Sequence, residues 1–334
     1  MTPFDIQTSS SSIDLKNIYK KSDIYVYSYA RYAFFEVLEK MDITSIYLPS
    51  FICRDILSPI NILDIKYFFY DVNEKLEPIL EDVKCDVILM VNYFGFVQDI
   101  KPFQEYKEKY NSIIIEDNAH GFLSCDEFEN QLGSRGDFGL LSIRKTIALP
   151  NGAALLINND EYKNIKFGKI ASQLSFEDEK YNKKHFLKKL FISKYFGIAF
   201  LLFRRILRYI KTGSSIPMPD NESEKILPSN KFITPKLENL TLNITKDLEI
   251  NRRRNMYLQV MAWAKTFDIK PICELEEGIV PFEFAFIDNG KYKQFEKYLF
   301  LKGYFILPWP DLPDEVISTC PEFYKDIKVV PFLW

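Results

Sequence analysis

The stretch SIIIEDNAH, Ser112 to His120, runs from a serine and three isoleucines straight into two carboxylates, an amide and an imidazole. A short continuous apolar run reads as a strand buried on both faces. In α/β folds, ligands collect just beyond the carboxyl ends of such strands. Asp117 and His120 therefore stand where a site is expected. A carboxylate at that place is costly unless a cation meets it, and a protonated heterocyclic nitrogen is one such cation. The commoner arrangement is a strand-end Asp that caps the next helix.

Working outward, strands are predicted at Ser45–Leu48, Ile65–Tyr70, Asp86–Tyr93, Phe138–Ile143 and Ala153–Ile157, with a helix at Tyr32–Met41. Apolar strands alternating with helices predict an α/β fold, with a mostly parallel central sheet between helices. Asn92 and Ser142 share the strand-end position with Asp117. Residues 160–211 read as helical and 212–229 as a loop rich in Gly, Ser and Pro. A long helix is expected from about Lys236 to Thr266, ending in the charged cluster NRRRN (Asn251–Asn255). From Phe267 on, PFEFAFID, KYKQFEKYLFLKGY and FILPW read as strand, helix and strand. The expected division is a large domain over 1–235, with 160–215 as a basic helical insert, and a smaller C-terminal α/β domain over 236–334.

Composition narrows the function classes. Of 334 residues, 47% are hydrophobic and 27% charged, which suits a globular chain and excludes a disordered or rod-like one. A net charge of −3 does not argue for nucleic acid. Cys53, Cys85, Cys125, Cys273 and Cys320 form no CxxC pair and are odd in number, as for reduced thiols in a cytoplasmic protein. With His120 and His185 as the two histidines, no metal site is expected. The start, MTPFDIQTSSSSIDLK, has no secretory pattern. Tyr195–Phe203, the longest uncharged apolar run, falls far short of the ~20 residues that span a bilayer.

Tyr181–Pro219 contains nine basic residues and no acidic one, around the apolar YFGIAFLLF. One reading is a basic amphipathic helix that touches anionic lipid or a lipid-linked substrate through 183–211, peripheral to the inner membrane. The blander reading is a helix buried in its middle and solvated at both ends.

The second chemically loaded stretch is GSRGDFGLLSIRKTIALPNGAALLIN, Gly133–Asn158. Lys145 lies, with Arg144 beside it, in an otherwise uncharged stretch. A lysine in a dry pocket loses its proton readily and can form a Schiff base with an aldehyde; the alternative is a lysine in a solvated loop. Ser142, three residues earlier, could offer a hydroxyl to a phosphate. A Schiff-base lysine together with an Asp for a pyridinium nitrogen is the pairing that pyridoxal 5′-phosphate (PLP) requires. Asp137–Gly139 spells DFG, but the other kinase motifs are missing, and no GxGxxG or GxxxxGK is present.

Taken together, SIIIEDNAHGFLS and GSRGDFGLLSIRKTIALPNGAALLINND resemble the DegT/StrS sugar aminotransferase family of fold-type I PLP enzymes, in a variant branch with an S-x-R-K lysine motif. YSYARYAFFEVL, YLPSFICRDIL, MVNYFGFVQDI and WPDLP are similar to further segments of that family. The resemblance implies a PLP-dependent transaminase acting on a nucleotide-linked keto-sugar in surface-polysaccharide, lipopolysaccharide or amino-sugar synthesis. An amino acid such as glutamate would be the amino donor, in a ping-pong transfer, and the enzyme would be a homodimer. Lys145 would hold PLP as an aldimine and carry the proton. Asp117 would pair with the ring nitrogen, and His120 would lie against the ring or near its 3′-oxygen. Ser142, Ala30 and Arg31 would bind the phosphate. Asn92 lies in the segment similar to the family's V-H-x-x-G, Cys53 falls where a ring-stacking aromatic is common, and Asn230 would reach a partner's site. The chain departs from the pattern at Tyr29–Ala30, where a glycine is lost, and at Asn151–Ala154, where a glycine-rich turn is altered. Those departures leave two other outcomes open. One is a PLP-dependent sugar dehydratase, although known dehydratase relatives carry His in place of the lysine. The other is a catalytically degenerate member that binds a partner or a membrane.

Overall fold

A computed structural model describes residues 12–168, 173, 178–183, 197–213, 221–237, 240–242, 245–309 and 311–332. Lys184, His185, Lys188, Lys189, Lys194, Pro217 and Pro219 lie outside the described residues.

The strands are β1 (Ile13–Asp14), β2 (Asp23–Tyr27), β3 (Ser45–Pro49), β4 (Lys66–Val72), β5 (Pro78–Ile79), β6 (Val87–Val91), β7 (Ile113–Asn118), β8 (Phe138–Leu141), β9 (Ala153–Ile157), β10 (Thr241–Leu242), β11 (Glu283–Ile287), β12 (Leu307–Pro308) and β13 (Ile327–Pro331). Eight of them form the large sheet, in the order β2-β9-β8-β7-β6-β3-β4-β5. From β8 through β7, β6 and β3 to β4 the pairing is parallel, while β9 runs antiparallel to both of its neighbours. The chemistry of the strands explains this placement. VILMV of β6 and AALLI of β9 are buried at every position, which is possible only with helices or chain covering both faces.

Helices Ala30–Lys40, Leu57–Ile62 and Lys101–Tyr110 make the crossovers. The last of these starts with a proline in its first turn, where the missing N–H has no helical partner to lose. It stops at Asn111, which takes the left-handed conformation common at helix ends.

The C-terminal part packs helix Lys246–Lys265 and helix Tyr292–Leu301 with an antiparallel sheet, β11-β13-β12. One apolar core runs unbroken from Phe34 and Val37 under the large sheet to Phe284, Val329 and Phe332.

Three expectations need correction. The long helix begins at Lys246, not near Lys236. Pro235–Leu237 is a single tight turn, Leu240 takes a positive φ of 58°, and Thr241–Leu242 is drawn off to pair with Ile13–Asp14. The NRRRN cluster lies mid-helix, with two of its arginines inside. Arg252 and Arg253 are each 1% exposed, and the Glu249 carboxylate accepts from both at 2.7 Å. Finally, the helix over Gly197–Thr212 is not buried in its middle: Leu202, Phe203 and Ile206 are exposed.

Candidate active site

Asn92, Asp117 and Ser142 stand just past or at the ends of β6, β7 and β8, which are adjacent and parallel. Their alignment opens a cavity of about 750 Å³, open mouth included. Ala30, Arg31, Cys53, Asn92, Asp117, His120, Ser142 and Lys145 all line it. So do Tyr29, Asp55, Arg144 and Trp309, which sequence reasoning did not assign. Asn230 is not on the cavity wall. Its carbonyl accepts from Ser28 Oγ at 3.0 Å and its side-chain oxygen accepts from Phe232 N–H at 3.1 Å, so within its own chain it fastens a loop.

Lys145 sits in the single helical turn Ile143–Thr146, not in a solvated loop. The turn follows β8 directly and is held from behind by Arg253, whose Nη2 donates to the carbonyls of Thr146 (2.9 Å) and Lys145 (3.4 Å). Lys145 Nζ lies 3.1 Å from His120 Nε2. The His120 ring stacks on Phe282 at 4.5 Å and 10°, and meets Trp309 edge-on at 5.7 Å. Its Nδ1 lies 3.4 Å from the Phe94 N–H, so both ring nitrogens have a partner. Burial, with Lys145 adding to it, holds the imidazole pKa well below 6.5, so the ring is neutral at physiological pH.

Asp117 does not cap a helix. One carboxylate oxygen accepts from Ala119 N–H at 2.9 Å, and among the described residues it forms no ion pair within 4.0 Å. Burial pushes its carboxyl up from the ordinary value, opposed by the charge of Lys145. It is a carboxylate facing a cavity with room for a cationic partner.

Its neighbour Glu116 has a different task. Fully buried, it takes a forked contact from Arg135, Nη2 at 2.7 Å and Nε at 2.9 Å, and a hydrogen bond from Asn92 Nδ2 at 2.8 Å. Arg135 also donates to Asn92 Oδ1 at 2.9 Å. The amide of Asn92 is therefore engaged on both sides, and this residue shapes the cavity wall from behind rather than offering its side chain to a ligand.

Another part of the cavity wall is cationic. Helix Ala30–Lys40 opens there with no side-chain cap on its first N–H groups, and a helix start of this kind attracts anions. Arg31 lies beside it, paired with Asp55 at 3.3 Å. Arg144 lies over the Tyr29 ring at 5.0 Å, and its Nε has no hydrogen-bond partner. Burial lowers its pKa. A buried guanidinium with an unused donor marks a place for an anion. Cys53 is a poor nucleophile here, since burial and Asp55 push its thiol up to about 12. Among the described residues, no group of His, Cys, Asp and Glu could hold a metal ion.

These residues fit PLP on the chain's own terms. An anion cradle, an amine and an unpaired carboxylate border one cavity, matching a phosphate, an aldehyde and a pyridinium. The signal for Arg144 was present in SIRKT, next to the lysine. That for Trp309 was present in WPDLP, but nothing local in the sequence says that a C-terminal segment closes a cavity built by residues 29–145.

Residues 63–191 match the DegT/DnrJ/EryC1/StrS aminotransferase family. A search of curated proteins gave no match. Among solved structures, the chain is similar to Helicobacter pylori PseC, an aminotransferase of pseudoaminic acid biosynthesis, at 15% identity and a TM-score of 0.62, with 95% of this chain and 83% of that one covered. It is also similar to the PLP form of a putative sugar aminotransferase, Spr1654, from Streptococcus pneumoniae (14% identity, TM-score 0.60, 99% and 88% covered). A third is the E. coli GDP-4-keto-6-deoxy-D-mannose-3-dehydratase with bound hydrated PLP (14%, 0.58, 95% and 85%). At these identities the structural likeness concerns the fold.

Proposed function

We propose, from the resemblance of residues 63–191 to the DegT/DnrJ/EryC1/StrS aminotransferase family, that this chain is a PLP-dependent aminotransferase acting on a keto-sugar. The sugar is nucleotide-linked, the amino donor is an amino acid, and the product serves surface-polysaccharide, lipopolysaccharide or other amino-sugar synthesis. The enzyme works in the cytoplasm as a homodimer, with 1–235 as its cofactor-binding domain and 236–334 closing over it. The observation that carries this reading is the shared cavity of Lys145, Asp117 and an anion cradle with an unused arginine donor.

PLP, when bound, supplies an electron sink for the carbanion left by loss of a proton next to nitrogen. The chain's residues do the rest. Lys145 Nζ would hold the cofactor and, as a positioned base, would move the proton of the substrate carbon. The Asp117 carboxylate would hold the protonated ring nitrogen, a cation that would offset the cost of its burial. Ser142, Arg31, Arg144 and the N–H groups at the start of Ala30–Lys40 would hold the phosphate. His120 orients Lys145 through Nε2. Phe282 and Trp309, packed on its ring, keep water away.

The test is direct. Purified protein incubated with PLP should develop a visible absorbance, and borohydride should then fix the cofactor to Lys145, located by peptide mass. Incubation with glutamate should bleach the absorbance, and a keto-sugar nucleotide should restore it. Full loading without a modified Lys145 would sink the mechanism. Water lost from the sugar with no nitrogen gained would favour a dehydratase.

A further inference from the structure

A helix in a soluble protein ordinarily turns its apolar stripe to the core and its charged side to water. Helix Gly197–Thr212 does the reverse. At about 100° per residue, Leu202, Phe203, Ile206, Leu207, Tyr209 and Ile210 share one face, and every one of them is exposed, Phe203 at 58% and Ile210 at 72%. Arg205 and Arg208 lie on the opposite face. It is this charged face that meets the protein: Arg205 pairs with Glu296 at 3.0 Å and lies over the Phe300 ring at 5.5 Å, both on helix Tyr292–Leu301. A contiguous exposed patch of this kind marks an interaction surface.

Two occupants could cover it, a second copy or a membrane. Charge decides between them. The helix belongs to the segment Tyr181–Pro219, with nine basic residues and no acidic one. A symmetric contact between two copies would press the same patch against itself and bring both cationic segments together. An anionic lipid surface instead attracts such a segment while taking up the apolar side chains. Among the described residues no helix is long and apolar enough to cross a membrane, so contact would be in the plane of the surface. We propose that the exposed apolar face of Gly197–Thr212, with the exposed Lys183 and Lys211, docks the protein on anionic lipid bilayers. Docking by this face is independent of the chemistry in the cavity.

The experiment uses the full PLP-loaded chain and sedimentable vesicles of phosphatidylcholine with or without phosphatidylglycerol. The protein should sediment with the mixed vesicles and at least ~10-fold less with phosphatidylcholine alone, and salt should release it. The double variant Ile206→Asn/Ile210→Asn should lose at least ~10-fold in binding while keeping the circular dichroism spectrum and cofactor loading of the parent, since both side chains already face solvent. Lys183→Glu/Lys211→Glu, at two exposed positions, should remove the preference for anionic lipid. Failure to sediment with either vesicle, or equal binding by parent and Ile206→Asn/Ile210→Asn, would overturn the proposal. So would concentration-dependent association of the free protein that the same double variant abolishes, with no vesicle binding, which would assign the face to a second copy.

Discussion

Lys145 Nζ lies 3.1 Å from Nε2 of His120, and the imidazole is fixed in turn by the Phe94 N–H at Nδ1 and the Phe282 ring below it. The amine is thereby held against a rigid neutral imidazole rather than against another charge. His120→Ala should lower kcat roughly 10²-fold, the lower end for loss of a positioned proton-handling group, with stability changed little. His120→Gln, which keeps a hydrogen-bonding group of similar reach, should recover part of it. Steady-state kinetics on the two variants would check this, and equal loss in both would show that the ring's stacking, not its contact with Lys145, matters. Because burial holds the imidazole pKa well below its ordinary value, protonation of His120 should place no limb of the pH–rate profile near neutrality.

Glu116 and Arg135 form a buried pair, with side chains 0% and 6% exposed and a 2.7 Å contact. Removing one partner strands the other's charge, at a cost of about 3–5 kcal/mol. Arg135→Met and Glu116→Gln should each destabilise the fold by that order in denaturant unfolding. The double variant should cost clearly less than the sum of the two, because no buried charge is left. Additive costs would mean the pair contributes nothing as a pair.

That pair also shows how far the sequence could be read. Carboxylates at 116 and 117 were both visible at a strand end, and so was the Gly-rich turn carrying Arg135. Strand alternation then determines that adjacent side chains face opposite sides: Asp117 reaches the cavity and Glu116 turns inward to Arg135. The apolar runs gave β6, β7, β8 and β9 to within a few residues, since burial on both faces leaves an uninterrupted signal. What was not legible came from distant chain. Trp309 reaches the cavity only through tertiary packing. The strand Ile327–Pro331 takes the centre of the small sheet without a pattern of its own beyond IKVVP. The burial of Arg252 and Arg253 depends on Glu249 one turn earlier and on carbonyls of other segments. Solvent-facing apolar residues on Gly197–Thr212 defeat a rule that assumes the apolar side is the inside.

Glu283 gives a prediction about pH. It is 6% exposed, its Oε2 has no hydrogen-bond partner, and burial pushes its carboxyl from 4.5 up to about 7, against the opposing pull of Lys145 and Arg253. The folded value is raised, so the folded chain favours the protonated acid. The stabilisation is fully present below pH 4.5 and is lost as pH rises to about 7. At 1.36 kcal/mol per unit, the wild type should lose roughly 3 kcal/mol across that window relative to Glu283→Gln. Denaturant melts of both proteins at a series of pH values would measure it, and parallel curves would refute it.

Asp117 offers the sharpest separation of binding from chemistry. Its carboxylate faces the cavity with no cation in contact among the described residues and a single backbone hydrogen bond. Asp117→Asn keeps the size and the acceptor for Ala119 N–H, and removes only the charge that would hold a proton on a ring nitrogen. Lys145 and the anion cradle are untouched, so PLP should still bind and still be fixed by borohydride. Amino transfer should fall by 10²-fold or more, about 2.7 kcal/mol of barrier at 1.36 kcal/mol per decade. Stability without cofactor should rise or stay level, since an unpaired buried carboxylate has been neutralised. Cofactor loading, single-turnover rates with glutamate and unfolding of the unloaded protein would together decide it. A variant that transfers nitrogen at the parent rate would place the ring nitrogen somewhere other than Asp117.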